Sequence, residues 1–335
     1  MGDVQRNIGR RNVLSAKKLP VGLRIAGAAV LFTLFHIAVL STRPAAEGLL
    51  RVLARIQLLP AAIAVAGAGV GWFVAGIALI VLVTAALGRI YCSVLCPLGI
   101  TQDIVIFLSA KVRKARFRRR RYAPAVHFSV AVLALVLLAA GFPVLVDLLE
   151  PYAFWGRLER DLVLPLVSGL TFAASELAKR LDVFFAPVAF FGHLPVVAVT
   201  AVFFILLVSV TAMRGRWYCN TLCPTGAVLR ALSAVPFLPL VRISPRPATC
   251  TLCGVCEKVC KTGSISVDRG TVTVRSDTCV VCFACVSRCP FDAMQYSPAR
   301  GGGGRPVRVG RFAAGENTTG SDTATETPGD PKALN

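Results

Sequence analysis

The chain has 335 residues, of which 55% are hydrophobic and only 16% charged, and its mean hydropathy is +0.68. That balance is too apolar for an ordinary soluble domain of this size and points to a membrane protein. The net charge of +20 excludes little alone, but most basic residues flank apolar segments instead of covering a soluble face, which argues against nucleic acid as a partner.

Four segments, at about 21–40, 61–87, 124–146 and 194–213, have the length and apolarity to cross a hydrocarbon layer as helix. The first reads as a retained anchor, because STRPAAEG after it offers no clean small-x-small cleavage site and Arg10-Arg11 lacks the rest of a twin-arginine signal. EGLLRVLARIQLL at 47–59 then sets Glu47, Arg51 and Arg55 four apart opposite leucines, the pattern of an interfacial helix, and 157–181 is expected to do the same in the second half. Tyr152, Phe154 and Trp155 fit an outer aromatic belt, and Tyr91, Trp217 and Tyr218 an inner one. Asp147 and Glu150 between them read as solvated loop charges at the outer edge.

Orientation follows from Lys and Arg in the short loops. Arg6, Arg10, Arg11, Lys17 and Lys18 precede the first span, and Lys111, Arg113, Lys114, Arg116 and Arg118 to Arg121 follow the second. The stretches 41–59 and 148–193 instead carry Glu47, Glu150, Glu159, Asp161, Glu176 and Asp182. Moving the Arg118 to Arg121 run across a bilayer costs on the order of 10 kcal/mol at about 2.5 to 3.5 per residue. Both termini are therefore expected to be cytoplasmic, in a multi-pass protein of the cell membrane.

Each half ends on nearly the same twelve letters: GRIYCSVLCPLG at 88–99 and GRWYCNTLCPTG at 215–226. Two spans per repeat make the repeats parallel, so both motifs emerge on one face. Within each, the cysteines are i and i+4, on one face of a helix, and the proline after the second redirects the chain. If the halves pack about a pseudo-two-fold axis, Cys92, Cys96, Cys219 and Cys223 converge. Four soft thiolates there suit iron, a small cluster, zinc or dithiol chemistry, against the plainer alternative of inert packing thiols.

After residue 245 the composition turns polar and cysteine-rich. CTLCGVCEKVC at 250–260 and CVVCFACVSRCP at 279–290 are each C-x2-C-x2-C-x3-C, the bacterial run for cubane iron–sulfur clusters, whose fourth cysteine serves the other cluster. One [4Fe-4S] centre is thus expected on Cys250, Cys253, Cys256 and Cys289, the other on Cys279, Cys282, Cys285 and Cys260. The first run departs from the pattern at Lys261, where proline is usual. SISVDRGTVTV between the runs alternates around an Asp-Arg-Gly turn, as a hairpin does. A domain this small leans on its clusters for stability. The expected organisation is an N-terminal segment (1–20), two transmembrane hairpins (21–123 and 124–244), a ferredoxin domain (245–298) and a disordered tail (299–335). The fold class is an all-α membrane protein of four transmembrane helices with a small α+β two-cluster ferredoxin domain.

The two C-x3-C-P motifs after the second and fourth spans, followed by two ferredoxin runs, resemble the membrane polyferredoxins of the NapH and NosR type over residues 20 to 297. The resemblance implies an electron-transfer subunit that works with the quinone pool and a redox partner protein. Nothing in this chain encodes the outer flavin-binding domain of the NosR type, so the minimal NapH-like form is nearer. Only His36 and His193 among the three histidines are placed to share a ligand at one depth. They are candidate quinol contacts, weighed against ordinary bonding to backbone or water. No C-x-x-C-H motif is present, which excludes covalent haem. The competing function is an assembly factor that reduces a metal or thiols through Cys92, Cys96, Cys219 and Cys223.

Overall fold

The computed structural model describes residues 2–41, 44–58, 60–61, 70–113, 124–142, 146–179, 194–235, 240–268, 270–298 and 307–309. The first half runs through helices α1 (Gly2–Leu40), α2 (Pro44–Arg55) and α3 (Val70–Leu87) to the first cysteine motif. That motif is a single helical turn, α4 (Tyr91–Val94), followed by α5 (Pro97–Arg113). The second half runs through α6 (Pro124–Ala139), α7 (Pro151–Leu158), a π-helical turn (Glu159–Val163), α8 (Leu164–Lys179) and α9 (Leu194–Arg214) to α10 (Trp217–Thr221) and α11 (Pro224–Ala234).

The twin motifs fold alike because their letters do the same local work. Gly88 and Gly215 take positive φ, at 80° and 64°, and break the preceding apolar helix. A short turn carries the first cysteine of each pair. The second lies just before a proline that opens the next helix, where the missing N–H costs nothing. Cys223 is itself the N-cap of α11, its Sγ accepting from Gly226 N at 3.1 Å.

Among the described residues, Leu19–Leu40 and Pro195–Arg214 are long and apolar enough to cross a membrane. The second and third expected spans contain shorter apolar helices, Val74–Leu87 and Pro124–Ala139. Residues 62–69 of the second span lie outside the described residues. The third ends early because a Schellman-type cap closes it: Gly141 has φ +80°, Gly141 N donates to Leu138 O at 3.1 Å and Phe142 N to Leu137 O at 2.8 Å.

The segment 146–163 departs most from the sequence expectation. It does not lie along an outer surface but packs inside the helical body. Trp155 is buried, edge-on to Phe35 at 5.4 Å and to His36 at 5.4 Å between ring centroids, and Phe154 is buried with it. Glu150 is only 1% exposed and caps α7, its Oε2 accepting from Ala153 N at 2.5 Å. Glu159 and Asp161 are buried too, Asp161 accepting from Thr200 Oγ1 at 2.7 Å. The solvated-loop reading of Glu150 is therefore corrected, as is the interfacial reading of 157–181 over its first turns, where Glu159 and Asp161 have internal partners; α8 keeps Leu166, Leu170 and Phe172 exposed. The aromatic belts are corrected at Phe154, Trp155, Tyr91 and Tyr218, whereas Tyr152 and Trp217 are only partly buried. Tyr91 is buried and donates to Gln57 Oε1, and Tyr218 donates to Leu149 O at 2.5 Å, so internal acceptors replace the water a belt residue keeps.

The C-terminal domain holds β1 (Val241–Pro245), α12 (Val255–Lys258), β2 (Ile265–Asp268), β3 (Thr271–Val274), α13 (Ala284–Arg288), β4 (Met294–Pro298) and β5 (Val307–Arg308). β2 and β3 form the expected hairpin, with Gly270 at φ +77° in its turn. β1 pairs antiparallel with β4, which ties the two ends of the domain together. The tail is not wholly without structure: β5 adds to β3, pairing Val307 with Val272, and Val309 is buried with its N–H on Gly270 O at 2.8 Å. A single alternating triplet, Val307-Arg308-Val309, was enough to extend the sheet; the rest of the tail lies outside the described residues.

Candidate iron–sulfur centres

The two cysteine runs repeat at a fixed offset of 29 residues, and their backbone repeats with them. Leu252 and Val281, the second residue between the first two cysteines of each run, both take left-handed φ, 58° and 50°. The residue after the second cysteine does the same: Gly254 at 70° and Phe283 at 58°. So do Gly263 at 64° and Asp292 at 55°, three residues past the fourth cysteine. Left-handed backbone at Leu, Val and Phe costs on the order of 1–3 kcal/mol each, and it recurs because it curls three consecutive thiols toward one centre. The fourth cysteine of each run accepts a backbone N–H at equivalent positions, Ser264 N to Cys260 Sγ at 3.2 Å and Ala293 N to Cys289 Sγ at 3.3 Å.

The grouping crosses over between runs. One cavity is lined by Cys250, Cys253, Cys256 and Cys289. Burial, reinforced by Cys250, Cys253 and Cys289, pushes the Cys256 thiol up to about 11. In the other set, burial and then Cys260 and Cys282 push Cys279 up to about 12, and Cys285 is driven well up by burial, Cys282, Cys279 and Cys260. Four thiolates so close repel one another unless a cationic core sits between them, which is the chemistry a cubane supplies. Both sets therefore fit such a group. Cys253 is exposed, whereas Cys282 packs against the helical core, so the first set lies toward solvent and the second toward the helices.

The twin motifs are locked together by two arginines that each cross to the other half. Arg216 donates from Nη1 to Cys92 O at 2.5 Å, from Nη2 to Gly99 O at 2.8 Å and from Nε to Asp103 Oδ1 at 3.0 Å. Arg89, its counterpart, donates to Asn220 Oδ1 at 2.7 Å, Cys219 O at 3.2 Å and Asp277 O at 3.1 Å. Both guanidinium groups are fully buried. Cys92, Cys96, Cys219 and Cys223 are each 4–5% exposed, and Cys96 and Cys223 are both driven well up by burial and by the charges of Cys219 and Cys92. The four thiols thus lie within electrostatic reach of one another. Among the described residues, no three His, Cys, Asp or Glu side chains form a group that could hold a single metal ion.

The glycine of each motif permits the crossing. A Cβ on Gly99 would lie 2.3 Å from Cys92 O and 3.3 Å from Arg216 Nη1; on Gly226 it would lie 2.3 Å from Cys219 O and 3.2 Å from Arg89 Nη2. Gly99→Ala and Gly226→Ala are each expected to destabilise the protein by about 1–3 kcal/mol. The control is Gly169→Ala, where an added Cβ meets nothing within 4 Å. Thermal unfolding of the three variants side by side checks this, and equal midpoints would show that the two motifs do not pack this closely.

The ferredoxin domain docks on this floor. Asn220 Nδ2 donates to Thr278 O at 3.4 Å, Arg230 Nη2 pairs with Asp277 Oδ2 at 2.9 Å, and Arg216 N donates to Lys261 O at 2.9 Å. Lys261, which stands where proline is usual, also places its ammonium 3.1 Å from Asp103 Oδ1. The departure from the pattern is therefore a docking contact. Burial works to raise the Asp103 carboxyl, but Arg216, Lys261 and Arg24 outweigh it and hold it well below the usual carboxylate range.

Of the two histidines singled out in the sequence, His36 has its Nε2 3.0 Å from Glu159 Oε1 and its Nδ1 2.9 Å from Phe32 O. His193 lies outside the described residues. Sequence reasoning missed Arg89, Arg216, Asp103 and Asp277, and it misread the buried Glu150. The Gly-Arg repeated at the head of both motifs was the available signal for the arginines.

Fold and cysteine geometry together define an iron–sulfur electron-transfer protein. The comparisons agree: a model described as a 4Fe-4S dicluster domain matches residues 242–293, and one described as a 4Fe-4S binding domain matches twice, at 69–115 and 196–243. The chain is 26% identical over 233 residues to an uncharacterized protein, MJ0750, of Methanocaldococcus jannaschii, covering 69% of this chain and 81% of that one. It is 26% identical over 211 residues to the putative electron transport protein YccM of Escherichia coli, covering 63% of this chain and about half (51%) of YccM. The electron transport protein HydN of Escherichia coli is 36% identical over 72 residues, 19% of this chain and 41% of HydN. No solved structure matches.

Proposed function

We propose that this chain is a membrane-anchored, NapH-like subunit that relays single electrons between the quinone pool or a cytoplasmic donor and a partner redox complex. The observation that carries the reading is the docking of the second cysteine set on the twin-motif floor: Val280 is buried in one core with Tyr91, Cys92 and Cys96, and Cys282 packs against it. Cys250, Cys253, Cys256 and Cys289 hold one [4Fe-4S] cluster in this reading, and Cys279, Cys282, Cys285 and Cys260 the other. Bound there, such clusters supply one-electron transfer without bond rearrangement. The protein's part is to fix the thiols, to present N–H groups to sulfur and to exclude water from the inner set, leaving the outer set at Cys253 accessible to a soluble partner.

Membrane anchoring is supported by the two long apolar helices, of which only 17% is buried inside the protein, so that Leu23, Val30, Ile37, Val202, Ile205 and Leu206 face outward. The positive loops then set both termini in the cytoplasm. A quinone has an approach in the apolar cavity lined by Leu148, Leu149, Phe154, Phe203, Leu207 and Tyr218, next to the twin motif. The rival reading, thiol or metal reduction for enzyme assembly, needs an attackable thiol, and the burial of all four twin-motif cysteines weighs against it.

Anaerobic purification from membranes, with iron and acid-labile sulfide counting and low-temperature EPR, tests this. Iron and sulfide in equal amounts are expected, with signals that grow when a quinol analogue is added. Protein free of iron would refute the reading outright; clusters that dithionite reduces and the quinol analogue does not would remove its quinone branch.

A further inference from the structure

We infer that Cys92, Cys96, Cys219 and Cys223 together hold one further [4Fe-4S] cluster, shared across the pseudo-two-fold axis between the halves. It rests on the reading of the chain as an iron–sulfur relay, and it gives the twin motifs a common ligand. Each half matches a 4Fe-4S binding domain, yet each brings only two cysteines, so neither half alone supplies the four ligands a cubane needs. The arginine crossing brings the two pairs together, and the fold leaves all four thiols buried at one site.

Charge supports an anionic occupant. Arg89 is fully buried, has no carboxylate within salt-bridge distance among the described residues, and lies 3.9 Å from Cys92 Sγ through Nη2. A buried guanidinium without a counterion is costly, and four thiolates around an oxidised cubane core carry a net charge of about −2. On the opposite side Asp103 alone faces Arg216, Arg24 and Lys261, so that cluster of charges is cationic as well.

Unsatisfied polar atoms point the same way. Gln102 is 1% exposed; its Oε1 accepts from Cys219 Sγ at 3.1 Å while its Nε2 has no partner, and neither does Arg89 Nε. Buried donors of this kind beside sulfur are positioned to hydrogen-bond a cluster or its thiolates.

The test uses the full chain, produced anaerobically, and compares Cys92→Ala/Cys96→Ala, Cys219→Ala/Cys223→Ala and all four changes together. The intact protein is expected to carry about twelve irons and as many sulfides, each pair of changes to remove about four, and the quadruple change no more than either pair. About eight irons in the intact protein, unchanged by any of these substitutions, would overturn the shared cluster and leave the two-cluster relay standing. So would loss of zinc instead of iron, or losses that double in the quadruple variant, which would mean separate sites in each half. Absence of iron altogether would overturn both readings. Mössbauer spectroscopy of the unsubstituted, iron-57-enriched protein needs no variant to fold: cubane signal equivalent to three clusters is expected, and two would overturn the inference.

Discussion

Cys289→Ala is expected to remove about four irons and to leave the C-terminal domain open to protease, even though Cys289 belongs in sequence to the second run. In space it lines the cavity of the first set, with Cys250, Cys253 and Cys256. The domain has a small core, built on residues such as Ile243, Ile265, Val272 and Met294, and eight of its side chains are cysteines. Its folding free energy therefore comes in large part from metal coordination, a term of about 10–16 kcal/mol for a structural zinc in a peptide of comparable dependence. Losing one ligand also releases the strained left-handed turn at Leu252, which persists only while its loop is held closed. The crossing is checked by combination. Adding Cys253→Ala to Cys289→Ala should cost no further iron, since both serve one centre, whereas adding Cys282→Ala should empty the second. The reverse pattern would show that each run keeps its own four ligands and that the domain folds differently.

The grouping of Cys250, Cys253, Cys256 and Cys289 around one cavity was legible in the sequence because most of it is local: cluster loops need fixed short spacings, and CTLCGVC carries one openly. The hairpin was legible for the same reason, since a two-residue period around Asp-Arg-Gly is a short-range signal. The clasp was not. Arg89 and Asn220 stand 131 positions apart, and nothing in the neighbourhood of either announces the other. Only the duplication of Gly-Arg before each Tyr-Cys pointed to a common task. Glu150 was misread because a carboxylate between apolar segments looks the same whether it turns to water or inward; its cap on α7 and its neighbours Tyr91 and Tyr218 become visible only when the chain has folded back. Lys261 read as a harmless departure from a pattern, and its reason lies in Asp103, a residue 158 positions earlier.

Asp103→Asn is expected to destabilise the protein by about 3–5 kcal/mol at neutral pH, the usual cost of removing one partner from a buried ion pair. Asp103 is the knot that ties four parts of the chain: α5, which bears it, α1 through Arg24 at 2.8 Å, the second motif through Arg216 at 3.0 Å and the ferredoxin domain through Lys261 at 3.1 Å. Its side chain is 11% exposed and that of Arg216 is 0%, so water replaces little of what the carboxylate provides. Asparagine keeps the shape and removes the charge, leaving three cations in one place. The sign of the pH dependence follows from the direction of the shift. Burial alone would raise the Asp103 pKa, but the three cations hold it below the unfolded value of about 3.9, so its stabilisation is complete above that pH and is lost only as pH falls below it. The gap in unfolding free energy between the native protein and Asp103→Asn should therefore stay level from about pH 6 to 8, a window in which iron–sulfur protein can be handled. A gap that changes across that window would mean that the carboxylate titrates there, unpaired; a gap under about 1 kcal/mol would place it at a screened surface and remove the knot that seats the second cysteine set on the twin motifs.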